Sequence, residues 1–302
     1  MERPRPIFDR AALRRQRDRA APGFAAHDFL IRAGAERLAD RLADIRRGFT
    51  RVLEIGAHGA VLRETIGARL GDAFYVATDT SLGFAAAARR PVLVADPEAM
   101  PFAPARFDLA LANLALHWID DLPGTLVQLR HGLEPDGLLL ASLLGGRTLE
   151  ELRDCLVAAE LEIVGGARPR VSPVVELRDA GALLQRAGFA LPVADADLLT
   201  VCYPDALALM RDLRGMGASN ALTERTRTCT RRAVLLRAAA LYAERFSAPG
   251  GRIRASFEII TLTGWVPAPS QPRPLRPGSA ERRLAQALEA VEHSAGQTAG
   301  RS

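Results

Sequence analysis

Apolar positions along the chain change period in a way that sorts it into elements. No period is sustained over residues 1–6. The stretches 9–20 and 27–46 carry helical spacing, and in the second Leu30, Ile31, Ala35, Leu38 and Leu42 recur with Arg and Asp between them. From residue 51, short apolar runs alternate with helical ones. Strands are predicted at 51–55, 74–78, 91–94, 107–112 and 138–143, with helices at 60–70 and 122–133. This alternation predicts parallel βαβ units with right-handed crossovers, and so a Rossmann-like, doubly wound α/β sheet. Beyond Gly145-Gly146 the pattern shifts to helices at 148–164 and 179–187, a strand at 198–203, helices at 205–214 and 231–246, and a strand at 253–264. Thr148 with Glu151 fits a capping box, and Gly188 stops the next helix. The expected division is N-terminal helices over 1–48, an α/β domain over 49–266 with a helical lid at about 204–247, and a Pro/Gly-rich tail over 267–302 holding at most a peripheral helix at 280–294.

Composition narrows the chemistry. With 302 residues, 48% hydrophobic and 25% charged, the chain can bury a sizeable core. No apolar run reaches the ~18 residues that span a bilayer. The net charge is +5 and every basic residue is Arg, which excludes a lysine Schiff base and a P-loop lysine. Aromatic residues are few and do not interleave with a basic stripe, so no nucleic-acid partner is expected. Cys155, Cys202 and Cys229 are scattered, which makes neither a disulfide framework nor a zinc site and points to reduced thiols in the cytoplasm. The N-terminus carries Arg14, Arg15, Arg17 and Arg19 without an apolar h-region, so it is no secretory signal. It mimics a transit peptide, against which Asp9 and Asp18 count.

A nucleoside cofactor in an open α/β sheet sits beyond the carboxyl ends of the strands. The first strand must then end in a tight turn that lets backbone approach the ligand, and Glu54-Ile55-Gly56-Ala57-His58-Gly59 supplies one. The second should end in a carboxylate for two ribose hydroxyls. Asp79, followed by Thr80, lies slightly more than ~20 residues on, although Asp79-Thr80-Ser81 equally suits a helix N-cap. At the third strand end, Asp96-Pro97-Glu98-Ala99-Met100-Pro101-Phe102 offers Asp96 to an adenine amino group and Met100 to the ring. Candidate cofactor-binding residues are Glu54, Gly56, His58, Gly59, Asp79, Thr80, Asp96, Pro97, Glu98 and Asn113.

These segments resemble the class I S-adenosylmethionine (SAM) methyltransferases, whose first turn reads acidic-x-Gly-x-Gly-x-Gly. Glu54 and Gly56 match, but His58 stands at the second glycine position and Ala60 at the third, which puts a side chain where the methionine part of the cofactor belongs. Leu133-Glu134-Pro135-Asp136-Gly137 resembles the turn before the fifth strand. The resemblance implies SAM as cofactor. A narrower resemblance, to the mitochondrial complex I assembly factor 5 proteins and their bacterial homologues, runs along the chain. It is carried by Ile7-Phe8-Asp9-Arg10, Leu116-His117-Trp118-Ile119-Asp120-Asp121-Leu122-Pro123, Met210-Arg211-Asp212-Leu213-Arg214-Gly215-Met216-Gly217-Ala218-Ser219-Asn220, Gly264-Trp265 and Gly278-Ser279-Ala280. It implies a protein substrate, a complex I subunit, and modification of an arginine, with hydroxylation as well as methylation in view. The more distant malonyl-carrier-protein methyltransferases share the His-Trp segment.

Methyl transfer from an activated sulfonium asks little of the protein beyond alignment. Asn113, His117 and Trp118 are the candidate catalytic residues, Asn113 to orient an amide or guanidinium and His117 as base or positioning group with an ordinary pKa near ~6.5. His117 and Trp118 equally suit simple packing beneath the lid. Hydroxylation ordinarily calls for iron or another oxygen-activating cofactor; His117 with Asp120 or Asp121 supplies part of a two-histidine, one-carboxylate set, with His58 as the candidate second histidine. No metal site is assigned. Leu207, Leu209, Met210 and Leu213 form a stripe that is either lid core or a docking face. Glu150 and Glu151 suit either an arginine or a helix start, and Arg147, Arg153 or Arg170 would grip a substrate carboxylate. Besides the modifying enzyme, a non-catalytic assembly module and a carboxyl methyltransferase remain as readings.

Overall fold

Strands that read as near-continuous apolar runs form the middle of one sheet, as burial on both faces requires. The computed structural model of the protein describes residues 5–89 and 91–271, and the helix expected at 280–294 lies outside them. The strands are β1 (Arg51–Ile55), β2 (Phe74–Asp79), β3 (Val92–Val94), β4 (Phe107–Asn113), β5 (Leu133–Leu144), β6 (Ala190–Tyr203), β7 (Ser247–Ala248) and β8 (Arg252–Trp265). The helices are α1 (Arg10–Ala20), α2 (Phe29–Ala43), α3 (Val61–Leu70), α4 (Leu82–Ala87), α5 (Leu122–Gly132), α6 (Glu150–Val164), α7 (Leu177–Arg186), α8 (Ala206–Gly215) and α9 (Arg232–Arg245).

Across the sheet the order is β3-β2-β1-β4-β5-β8-β6, with β7 paired to β8. The neighbours from β3 to β5 are parallel, whereas β8 runs antiparallel between β5 and β6. This is the doubly wound α/β sheet that the alternation of elements predicted. Its order reverses between β1 and β4, so the ligand crevice of such a sheet falls at their carboxyl ends. Alternate residues of the central strands feed opposite layers, as the two-residue period of a strand dictates. Val52, Leu109, Leu111, Leu138 and Leu140 pack under α2, α3, α6 and α9, while Leu53, Ala110, Ala112, Leu139 and Ala141 pack under α5 and α7.

Several expected elements differ. The capping box at Thr148 and Glu151 is not formed. Leu149, at φ 55°, precedes α6, the Thr148 hydroxyl donates to Glu258 O, and the buried Glu151 carboxylate accepts from Ser256 N and Oγ. Both side chains therefore fasten α6 to β8, and Glu151 is not open to a substrate arginine. Strand β6 begins eight residues before the expected 198, since its backbone already pairs with β8 there, and its Asp195 and Asp197 pair with Arg41 and Arg37 of α2. Its early part is interrupted by a register shift at Leu191 and Pro192, where a proline in a strand is tolerated. Helix α4, one and a half turns long, was missed; Ser81 caps it by accepting from Phe84 N.

The N-terminal segment is woven into this unit. Ile7 O accepts from Thr223 N, Asp9 N donates to Ala221 O, and Asp9 pairs with Arg225. Asp9 also caps α1 by accepting from Ala12 N. Helix α1 is thereby laid against α4, across the carboxyl ends of β1 and β2. Among the described residues no helix is long and apolar enough to cross a membrane.

Candidate functional site

The turn after β1 keeps the backbone of a glycine turn even where the residues are not glycine. Gly56 and Gly59 have φ 79° and 75°, and His58 at 40° and Ala60 at 95° also lie in the left-handed half. Such conformations cost a non-glycine residue roughly 1–3 kcal/mol each and cluster at functional sites. A Cβ on Gly56 would meet Ala115 Cβ at 2.5 Å, so only glycine fits there.

The His58 ring does not line the pocket beside this turn. It folds back, donates from Nδ1 to Gly56 O at 2.7 Å and accepts from Arg17 Nη1 at 3.1 Å through Nε2, between Phe24 and Phe84. Those partners select the neutral Nδ1–H tautomer. Burial first, and the neighbouring Arg17 cation next, hold its pKa down at about 4. The crowding of the methionine part expected from His58 is thus relieved by rotation of the ring.

Asp79 closes β2 and is almost fully buried. It accepts from Arg17 Nη2 at 2.9 Å and from Ser81 N at 2.8 Å. Asp96, after β3, accepts from Arg10 Nη1 at 2.5 Å and from Glu98 N at 2.9 Å. Gly56, Asp79, Thr80, Asp96 and Pro97, but not Gly59, line one cavity, whose wall also includes Arg10, Leu13, Arg14 and Arg17 of α1 and Ala115, Trp118 and Ile119 after β4. Because α1 lies across it, the enclosed space is about 60 Å³. Ligand pockets begin at roughly 300 Å³, so α1 must draw back to admit a nucleoside cofactor.

Other candidates are placed elsewhere. The Glu54 side chain is buried within the sheet, where it accepts from Tyr75 Oη at 2.9 Å while its Oε1 has no partner among the described residues. Burial raises its pKa to about 8, and Asp79 adds to the rise against the Tyr75 bond. Glu98 accepts from Asp120 N at 2.8 Å and pairs with Arg10, so it braces the wall. Met100 lies with Phe102 and Gln128 in a separate cavity beside α5 and not against the cofactor pocket. Asn113 is fully buried: Nδ2 donates to Ile31 O at 2.8 Å and Oδ1 accepts from Ser142 Oγ at 2.9 Å. It holds α2 to the ends of β4 and β5, and the structure does not bring it to the pocket wall. Asn113→Ala should cost roughly 2–5 kcal/mol, since two buried groups lose partners, with SAM affinity changed less than about twofold. Urea denaturation and calorimetric titration check this. A tenfold loss of SAM affinity at unchanged stability would instead return Asn113 to ligand contact.

Trp118 and His117 stand between two spaces. Trp118 lines the cofactor pocket, a small cavity walled by Arg17, His58 and Met216, and a larger chamber of about 380 Å³; His117 lines the latter two. The chamber is walled by Leu30, Leu149, Leu152, Met210, Leu213 and Phe257 among others, so Met210 and Leu213 of the lid stripe turn inward and Leu209 is buried, while Leu207 is exposed. Of the three arginines considered, only Arg170 lines it, bound to Glu160 and Thr230; Arg153 opens onto a neighbouring surface cavity, and Arg147 pairs with Glu150 outside. His117 Nδ1 is buried without a partner among the described residues, and burial, with His58 and Arg17 adding, depresses its pKa to about 3. At neutral pH it is an uncharged imidazole and a weak base. Among the described residues no three His, Cys, Asp or Glu are grouped to hold a metal ion, so the iron set considered from His58, His117 and Asp120 or Asp121 is not assembled.

A glycine turn at β1, an acid at the end of β2, a second acid after β3 and the 3-2-1-4-5 order define a class I SAM-dependent methyltransferase. The cofactor of that class is SAM, and the residues fit it. The Gly56 cradle, the Asp79 and Asp96 acceptors, and the unpartnered buried Nε of Arg17 all face or adjoin one pocket. The family described as "Methyltransferase domain" matches residues 53–141. A methyltransferase structure from Bacillus halodurans has the same fold at TM-score 0.52 and 16% identity, covering 78% of this chain and 99% of its own. So has phosphoethanolamine N-methyltransferase 2 of Haemonchus contortus, solved with S-adenosylhomocysteine, at TM-score 0.53 and 14% identity over 85% of this chain and 60% of its own. Sequence relatives are nearer. The mitochondrial arginine-hydroxylase NDUFAF5 of Danio rerio is 38% identical over 91% of this chain and 87% of its own length. Malonyl-[acyl-carrier protein] O-methyltransferase of Xylella fastidiosa is 34% identical over 86% and 89%. The chain belongs to the NDUFAF5 family within this class.

Sequence reasoning missed Arg10, Arg17 and Ile119. Arg17 carried a signal only as part of the basic N-terminus, and Arg10 and Ile119 only as members of motifs shared with the family; what they face depends on where α1 is laid.

Proposed function

We propose that this protein uses SAM to modify a protein side chain, an arginine, in the assembly of a respiratory complex. The observation that carries the reading is the pair of spaces meeting at His117 and Trp118, one with the Asp79 and Asp96 acceptors and one with apolar walls. A long side chain entering the chamber would lay its methylenes on Leu152, Met210 and Leu213 and bring its end to the Trp118 wall. Asp79, Asp96 and Gly56 would hold the cofactor, which when bound supplies an activated methyl group. Trp118 and His117 exclude water from the junction, and neutral His117 offers an acceptor that does not repel a cation. The names of the NDUFAF5 relatives support arginine as the target. Mass spectrometry of complex I subunits from cells with and without the protein tests this. An arginine heavier by a methylene in its presence supports the reading, whereas one heavier by an oxygen atom keeps arginine as the target but overturns methyl transfer, because SAM supplies no oxygen. No altered arginine sinks the reading.

One observation favours a second reading, carboxyl methylation of an acyl chain. Among the described residues lining the chamber there is no Asp or Glu, and Arg170 is the only fully charged one. A buried guanidinium wants a carboxylate, whereas an aliphatic acyl group does not. Formation of a methyl ester on a malonyl carrier protein in the presence of SAM decides this reading, and its absence removes it.

A further inference from the structure

Arg17 is a buried arginine with an incomplete set of partners. It projects from α1 with 6% of its surface exposed, stands 5.0 Å over the Phe84 ring, and meets Asp79 through Nη2 and His58 through Nη1. Its Nε is buried and has no partner among the described residues. A guanidinium has five N–H donors, and burying one unsatisfied is costly. The open donor therefore calls for an acceptor that the chain itself does not supply.

Its position says which. Asp96 marks one end of the cofactor pocket and Asp79 the middle. Beyond Asp79, on the side away from Asp96, lie the Gly56–Gly59 turn and the small cavity leading to His117, and Arg17 lines both spaces. SAM read with its adenine at Asp96 and its ribose at Asp79 has its amino-acid end at this turn. That end carries the cofactor's single anion, a carboxylate. The pocket's other arginines are worse placed: Arg10 is 40% exposed in its side chain and already shared by Asp96, Glu98 and Asp120, and Arg14 is exposed. We propose that Arg17, aimed by His58 and Asp79, is the positioning residue that recognises the carboxylate of SAM. His58 acquires a role by the same argument. It stands where the family has glycine, and its ring, fixed by Gly56 O, orients a guanidinium. The guanidinium thereby adds a cation beside a turn whose backbone keeps the left-handed conformations of glycine.

The proposal rests on SAM as cofactor, and the test separates the two. Isothermal titration of the full chain with S-adenosylhomocysteine and with 5′-methylthioadenosine, which lacks the amino-acid end, gives a ratio of affinities that does not depend on the fraction folded. The wild type should favour S-adenosylhomocysteine. Arg17→Gln should shrink that preference roughly ten- to hundredfold, the loss expected for a charge-assisted contact, with methylthioadenosine binding little changed. Arg17→Lys, which keeps a cation against Asp79 and hence the fold, should lose part of it, because a point charge does not reproduce a planar fork. An unchanged ratio in Arg17→Lys and Arg17→Gln overturns the proposal while leaving the cofactor assignment standing. Failure of the wild type to bind either ligand overturns both.

Discussion

Asp79→Ala is expected to raise the dissociation constant for SAM by at least about a hundredfold, because two ribose hydroxyls lose a charged acceptor worth roughly 1.5–3 kcal/mol per hydrogen bond. Asp79 is suited to that role by burial and by an anchored geometry: Ser81 N fixes Oδ1, and Arg17 neutralises the charge at Oδ2. The same pairing complicates the variant. Removing Asp79 leaves a buried Arg17 uncompensated, which typically costs about 3–5 kcal/mol. Asp79→Asn, which keeps the shape and one acceptor oxygen, is therefore the companion. It should fold better and still lose most of the affinity. Calorimetric titration of both variants, with urea denaturation beside it, separates the effects. SAM affinity unchanged in a folded Asp79→Asn would mean that the acid is only a helix-turn anchor through Ser81.

Stability should fall as pH rises from about 4.5 to about 8 on account of Glu54, and Glu54→Gln should abolish that fall. Its folded pKa is raised from 4.5 to about 8, chiefly by burial. Between those values the folded protein holds a proton that the unfolded chain has released, so stability declines with pH and levels off above 8. The full difference is on the order of 5 kcal/mol. His58 and His117 act with the opposite sign. Their folded values, about 4 and about 3, lie below the ordinary 6.5. As pH falls below 6.5 the unfolded chain takes up protons that the buried rings refuse, and stability drops again. Where the slopes overlap, from about 4.5 to 6.5, two rings outweigh one carboxyl, so the wild type should be most stable near pH 6.5 and lose stability from there to pH 8. Glu54→Gln, which still accepts from Tyr75, should match it near pH 5 and exceed it by a few kcal/mol at pH 8. Urea denaturation across this range measures the difference. Parallel curves for the two proteins would show that Glu54 is ionised in the fold.

The Glu54 case also shows how a motif misleads. In a glycine-turn pattern the acid before the turn reads as a ligand contact. Here the β1 register, Glu54 beside Ala77, leaves its side chain under the sheet against Tyr75. Asn113 misleads similarly: a polar residue at a strand end suggests chemistry, but α2 passes close enough for Ile31 O to accept from its amide. Both facts depend on which helix covers which strand end.

By itself the sequence determined the doubly wound sheet, the positions of β1, β2 and β4, and the placing of Asp79 and Asp96 at the strand ends that line one pocket. Each rests on short-range causes: strand and helix periods, the conformational freedom of Gly56, and the spacing of one βα unit. The sequence equally carried the inward stripe of Leu213 and Met210, since apolar periodicity does not depend on the partner it meets. Tertiary structure alone decided that Arg10 and Arg17 cross the pocket, that Thr148 and Glu151 bind β8 instead of capping α6, and that His58 turns away from the pocket it was expected to crowd. These contacts join residues 41 to 110 positions apart. No local pattern encodes such pairings; they follow from laying α1 and β8 against the sheet, where the cost of burying each charge selects its partner.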